Sequence, residues 1–178
     1  MISCFSTYTN IVKEMLNIMP TTLIQADYHN PQHAKDIGYL MNCYARDPMG
    51  GGAALPVEIL DNIAAELGKR DYAFSVLYYV DDKPAGLING FEGFSTFSCK
   101  PLVNIHDVIV IKEYRGQQIS IKMLSKVEEI AKQRSCCKMT MEVLEGNHVA
   151  KNAYQKFGFG SYQLDPEIGQ ALFWQKAL

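Results

Sequence analysis

Residues 104–120, NIHDVIVIKEYRGQQIS, set the architecture of this chain. Leu102 to Ile111 is rich in β-branched residues and reads as a strand. Beyond Arg115-Gly116, the residues Met123, Leu124, Val127, Ile130 and Ala131 recur at helical spacing, with Lys126, Glu128, Glu129 and Lys132 on the polar face. A strand that turns directly into a helix through a glycine can also seat an anion. The first N–H groups of a helix lack intrahelical partners and lie at the positive end of its dipole; Gly116 permits close approach and Arg115 adds charge. Plain turn geometry uses the same residues, so this stretch alone leaves both readings open.

Downstream, Met139 to Leu144 reads as a strand, and Asn147 caps a helix bearing Val149, Ala150, Ala153, Tyr154 and Phe157 that Gly158 ends. A last β segment covers Gly160 to Leu164 and Ala171 to Trp174. Upstream, Tyr72 to Val80, the turn Asp81-Asp82-Lys83-Pro84 and Ala85 to Phe97 form an antiparallel hairpin, with irregularity expected at Gly90 and Gly93. Thr21 to Tyr28 reads as a strand and Asn30-Pro31 as a helix start, followed by Ala34, Ile37, Gly38, Met41, Tyr44 and Ala45 at helical spacing. That helix stops at Asp47-Pro48 and Gly50-Gly51-Gly52, and a second carries Pro56, Ile59, Leu60, Ile63, Ala64 and Leu67 on one face. An amphipathic piece, Ile11, Val12, Met15, Leu16 and Met19, precedes them all. The order β-α-α-β-β-β-α-β-α-β predicts one domain over residues 1–178 of α/β (α+β) class. Its mixed sheet has an antiparallel first half and then strand-helix-strand units that favour parallel pairing.

Composition narrows the function. With 178 residues, 48% hydrophobic and 20% charged, the chain is ordinary globular material. A net charge of −2 with no basic run argues against nucleic acid, and no apolar stretch approaches the roughly 18 residues that span a bilayer. Five cysteines without a C-x-x-C pair fit a reducing, cytoplasmic setting better than a disulfide framework, and residues 1–20 do not read as a secretory signal. His29 and His33 flank Pro31 without a completing Glu, so no metal is expected.

Two segments carry a family resemblance. Val110 to Ser120, leading into a helix, resembles the acyl-CoA loop of the GNAT superfamily of N-acetyltransferases, R/Q-x-x-G-x-G/A, with Arg115 in the first position. Met141 to Asn147, then Ala150, Ala153-Tyr154 and Phe157-Gly158-Phe159, resembles that family's second motif: a strand, an Asn-initiated helix with a tyrosine, and a closing Gly-Phe. The family's central glycine is Gln118 here and its final Gly/Ala is Ser120. Gln118 could crowd a pyrophosphate or point outward; Ser120 is small and adds a hydroxyl.

The resemblance implies a mixed, mostly antiparallel sheet of about six or seven strands flanked by about four helices, with strands 4 and 5 splayed parallel around an acyl-CoA site. It implies acetyl transfer from acetyl-CoA to the primary amine of an acceptor, without a metal, by direct attack in a ternary complex. Arg115 to Ser120 would bind the cofactor, the backbone of Gly116, Gln117, Gln118, Ile119 and Ser120 holding the pyrophosphate and Arg115 adding charge. Val108, Ile109 and Val110 would line the pantetheine and thioester, the Val108 N–H facing the thioester carbonyl as an oxyanion donor. Tyr154 is the implied acid for the departing thiolate, and its alternative is a place in the apolar face of its helix. His106, two residues before Val108 and on the same face by alternation, is the candidate base or else a hydrogen-bonded sheet residue. Asp107, by the same alternation, faces away as a structural partner. Asn147 is read as a helix cap and as a ligand to the pantetheine amide, and Tyr44 and Asp47 as neighbours of the acceptor. A CoA-sensing module without catalysis and a flavodoxin-like nucleotide binder are the competing readings. An exposed last strand near Phe173 and Trp174 leaves a homodimer open.

Overall fold

A computed structural model describes residues 20–163, 165, 167 and 169–178; the amphipathic piece expected at Ile11 to Met19 lies outside them, as does Leu164. The elements are β1 (Thr21–Gln25), α1 (Pro31–Arg46), a 3-10 turn (Pro48–Gly50), α2 (Val57–Gly68), β2 (Ala73–Val80) and β3 (Lys83–Ser95). They continue with β4 (Lys100–Val110), a second 3-10 turn (Lys112–Tyr114), α3 (Ile119–Gln133), β5 (Met139–Met141) and α4 (His148–Phe157). The strands form one sheet in sequence order, antiparallel from β1 to β4, with β5 parallel to β4.

Local chemistry explains the anchors of this layout. Asn30 caps α1, its side chain accepting from the N–H groups of Gln32 and His33, and Pro31 occupies a first-turn position where no donor is needed. Asp81 and Asp82 both take positive φ (52° and 57°), which makes the β2–β3 connection a two-residue turn whose twist matches that of the strands. Alternation then divides the sheet into two faces. Phe74, Val76, Tyr78 and Val80 of β2 pack with Ile119, Met123, Leu124, Val127 and Ile130 of α3. Ala73 and Leu77 pack with Ile37 and Leu40 of α1 and with Ala64 and Leu67 of α2. Gly90 allows the first packing layer to close, because a Cβ there would stand 2.6 Å from the Phe74 ring.

The expected irregularity falls between β3 and β4. Asn89 pairs with Asp107 while Gly90 pairs with Ile105, so His106 is an extra residue in β4, a β-bulge. The phase of β4 reverses there: Val103 and Ile105 bury toward α3 before it, and Val108 and Val110 pack on that side after it.

Three expectations differ from the structure here. The sheet has five strands among the described residues, against six or seven expected. At 160–164 and 171–174, the described residues hold a single antiparallel bridge between Gln163 and Gln170 in place of a strand pair. An isolated hairpin is marginal, and the neighbouring edge strand, β5, is only three residues long. Leu172, Phe173 and Trp174 consequently stand 74–84% exposed. Val149, placed by the sequence on the apolar face of α4, is also exposed, because α4 covers the sheet only through Tyr154 and Phe157.

Candidate active site

Strands β4 and β5 pair over Val103–Ile105 and Met139–Met141 alone, and β4 runs five residues further. The Val103 N–H donates toward β5, to Lys138 O, whereas beyond the bulge the Ile111 N–H donates to Ala85 O beside β3. Since backbone groups alternate along a strand, Val108 and Val110 direct their N–H and C=O groups to the open edge. Their side chains pack toward α3. Ile109 faces the other way and is buried under α1 and α2, so it lines the core and not the edge.

The open edge leads to the N-terminus of α3. Gly116 (φ 79°) and Gln118 (φ 60°, ψ 20°) both adopt left-handed backbone, Gln118 stands at the cap without a capping side-chain bond, and the first turn holds no acidic residue. The N–H groups of Ile119, Ser120 and Ile121 precede the first intrahelical bond, from Lys122 N–H to Gln118 O. The loop therefore keeps the glycine-like backbone at 118 with a glutamine in place, a conformation that costs an L-residue about 1–2 kcal/mol. The Gln118 side chain is exposed, as is that of Gln117.

Arg115 differs from its expected part as a free charge beside the loop. Its Nε donates to Val110 O (3.0 Å) and its Nη2 to Asp47 Oδ2 (2.7 Å). The edge carbonyl of Val110 has no strand partner, and the arginine five residues on folds back to satisfy it. Asp47 also caps the 3-10 turn by accepting from Met49 N–H, and the Arg115 hydrogen bond holds its carboxyl below the usual range. Arg115 thereby joins the end of α1 to the phosphate-type loop.

On α4, Asn147 accepts from Ala150 N–H (3.2 Å), which establishes the cap. Tyr154 is packed against the α3-side core and edge-on to Phe159. Burial, with a smaller contribution from Tyr44, pushes its phenol up to about 12, so it is protonated at neutral pH. It makes no side-chain hydrogen bond to any described residue.

The bulge rearranges the candidates on β4. His106 is exposed and lies edge-on to Phe91 (5.6 Å), on the α1/α2 side, and so does not share the face of Val108. Asp107, expected to face away from His106, joins it there. Its Oδ2 accepts from Asn89 Nδ2 (2.9 Å), Asn89 Oδ1 accepts from Ser75 Oγ (2.6 Å), and Tyr28 Oη lies 2.9 Å from Ser75 Oγ. Asn104 donates to Glu142 Oε1 (3.3 Å). Tyr44 lies within electrostatic reach of Asp107 and Asp47: burial first, then these two carboxylates, push its phenol up. Sequence alternation missed Asp107 and Asn89. The available signal was the adjacent polar pair His106-Asp107 inside an apolar strand, which strict alternation does not accommodate.

Comparison with known proteins places this geometry. Over 56 residues the chain is 38% identical to thialysine N-epsilon-acetyltransferase of Mus musculus, a match that spans 32% of this chain and a third (33%) of that protein. A probable acetyltransferase of known structure superposes with a TM-score of 0.74 at 20% identity, covering 88% of this chain and 99% of its own. The aminoglycoside N-acetyltransferase AAC(6')-Iy, in complex with CoA, superposes at 0.69 with 16% identity, covering 90% and 97%. At such identities the two structures attest the fold. The profile of the acetyltransferase (GNAT) family matches residues 38–159, from α1 through the open edge of β4 to the close of α4, and the chain belongs to that family.

Proposed function

We propose that this chain transfers an acetyl group from acetyl-CoA to the primary amine of an acceptor, within a ternary complex. The observation that carries the reading is the continuity of the open β4 edge with the uncapped N-terminus of α3. It offers backbone partners for an extended amide-bearing arm at Val108 and Val110, and N–H groups for a pyrophosphate at one end. Gly116 to Ser120 would hold the phosphates, with Arg115 alongside once released from Val110, and Asn147 Nδ2 would reach the arm.

In the reaction, an acceptor ammonium gives one proton to His106, which passes it to water. The neutral amine nitrogen bonds to the thioester carbon while the Val108 N–H supports the oxyanion. The C–S bond breaks, sulfur takes the Tyr154 proton, and the nitrogen's excess proton restores the phenol. The products are the acetamide and CoA thiol. Tyr154→Phe should lower turnover about 100-fold with acetyl-CoA affinity changed less than about twofold, by steady-state kinetics and calorimetry. Binding of acetyl-CoA without turnover on any amine would favour a sensing module.

Because Tyr154 holds its proton more tightly folded than unfolded, as does Tyr79, their stabilising contribution is complete below pH 10. The contribution of Tyr154 is lost as pH rises toward about 12 and that of Tyr79 at higher pH still, which urea denaturation at rising pH would register. We also propose that exposed Leu172, Phe173 and Trp174 join a second copy of the chain, which a monomeric mass in solution would refute.

A further inference from the structure

A cavity of about 450 Å³ opens on the α1 side of the sheet, a volume within the range of small-molecule sites. Its walls come from the first half of α1, the start of β3 and the 3-10 turn that follows β4. Ile111, in its wall, donates its N–H to Ala85 O beside β3, whereas the acyl-CoA edge of β4 lies on the β5 side. The cavity is therefore separate from the site described above.

Four charged side chains line it: Asp36, Glu113, Lys35 and Lys83. None of the four makes an ion pair with any described residue, so the opposite charges stand apart around the space. Asp36 matters most, because it is only 4% exposed. Its oxygens accept from Gln32 Nε2 (2.9 Å) and Tyr79 Oη (2.9 Å), two neutral donors. Burial, then the hydrogen bond to Asp36, hold the Tyr79 phenol well above its ordinary value, which keeps it the donor. A buried carboxylate is costly where no cation offsets it, and acetyl transfer makes no use of this one. The rest of the wall is mostly apolar: Tyr39, Pro84, Ile111 and Tyr114.

We propose that this cavity binds a small zwitterion of the α-amino-acid type with an apolar side chain. The ammonium meets Asp36, the carboxylate reaches Lys35 and Lys83, and the side chain lies against the two tyrosines. Charge complementarity selects this class. The wall carries two charges of each sign, so an amine alone leaves both lysines unmatched and a carboxylate alone meets Asp36 and Glu113. Charge-assisted hydrogen bonds, about twice as strong as neutral ones, supply the affinity. The assignment does not depend on acetyl transfer.

Calorimetric or NMR titration of the whole protein with L-phenylalanine, in the absence of acetyl-CoA, tests it. Phenethylamine, which lacks the carboxylate, and 3-phenylpropionate, which lacks the ammonium, run beside it. L-phenylalanine should bind with a Kd below about 1 mM, and each truncated analogue at least about tenfold more weakly. Asp36→Asn, which still accepts from Tyr79, should weaken L-phenylalanine about tenfold or more and leave 3-phenylpropionate no weaker, a split that general damage to the fold would not produce. The double variant Lys35→Gln, Lys83→Gln alters exposed side chains only. It should weaken L-phenylalanine by a similar factor and leave phenethylamine no weaker. No binding of L-phenylalanine at about 10 mM, equal binding of either truncated analogue, or unchanged L-phenylalanine affinity in either variant overturns the assignment. None of these results bears on the acetyltransferase reading, which acetyl-CoA binding tests by itself.

Discussion

The N-termini of α1 and α3 solve the same problem in opposite ways. Each leaves N–H groups without intrahelical partners. At α1, Asn30 accepts from Gln32 and His33, and Pro31 removes one donor altogether, so the end is closed by its own sequence. At α3, the cap residue Gln118 makes no capping bond, lies in left-handed backbone, and is followed by Ile119 and Ser120 with no acidic side chain in the turn. The first arrangement serves stability. The second keeps donors available at the end of an open strand edge, at a conformational cost that folding alone does not require.

Placing an anion of the chain's own at the open end tests that contrast most strongly. Ser120→Asp should stabilise α3 by about 0.3–1 kcal/mol while weakening acetyl-CoA binding about tenfold or more, measured by thermal melts and calorimetry. Unchanged affinity would mean the free N–H groups hold no phosphate. Asn30→Ala, at the closed end, should cost about 1 kcal/mol of stability in urea and leave acetyl-CoA affinity alone. Gln118→Gly, which relieves the left-handed backbone, should stabilise the protein by about 0.5 kcal/mol, since relief of strain is partly offset by the greater freedom of glycine in the unfolded chain. Loss of stability there would show the glutamine side chain to be a structural contact. Asp47→Asn should have the smallest effect: it frees Arg115 and removes a negative charge near the loop, so acetyl-CoA should bind about twofold tighter. Weaker binding would mean Asp47 holds Arg115 in its working position.

The legible parts of this fold are those with a local chemical signature. Asn30-Pro31, Asp81-Asp82 and Asn147 with Gly158 each announce an element boundary, and each behaves as its residue types require. The bulge at His106 had a weaker signature. Its placement depends on pairing with Asn89 and Gly90, some 16 residues away, so counting along β4 put Asp107 on the wrong side of His106. Arg115 was legible as a charge beside a loop. Its bond to Asp47 depends on α1 and β4 meeting, which no local pattern encodes. The final segment shows the reverse failure: Leu172, Phe173 and Trp174 have strand-like residue types, but local preference does not supply a partner strand.

The central claim is that the open β4 edge and the uncapped α3 together form an acyl-CoA site. Calorimetric titration with acetyl-CoA, beside desulfo-CoA and a nucleoside diphosphate lacking pantetheine, tests it most directly. The account predicts micromolar binding of both CoA compounds and at least about tenfold weaker binding of the nucleotide, because the β4 edge recognises the arm and α3 the phosphates. Equal affinity for the nucleotide, or no binding of acetyl-CoA, would contradict it.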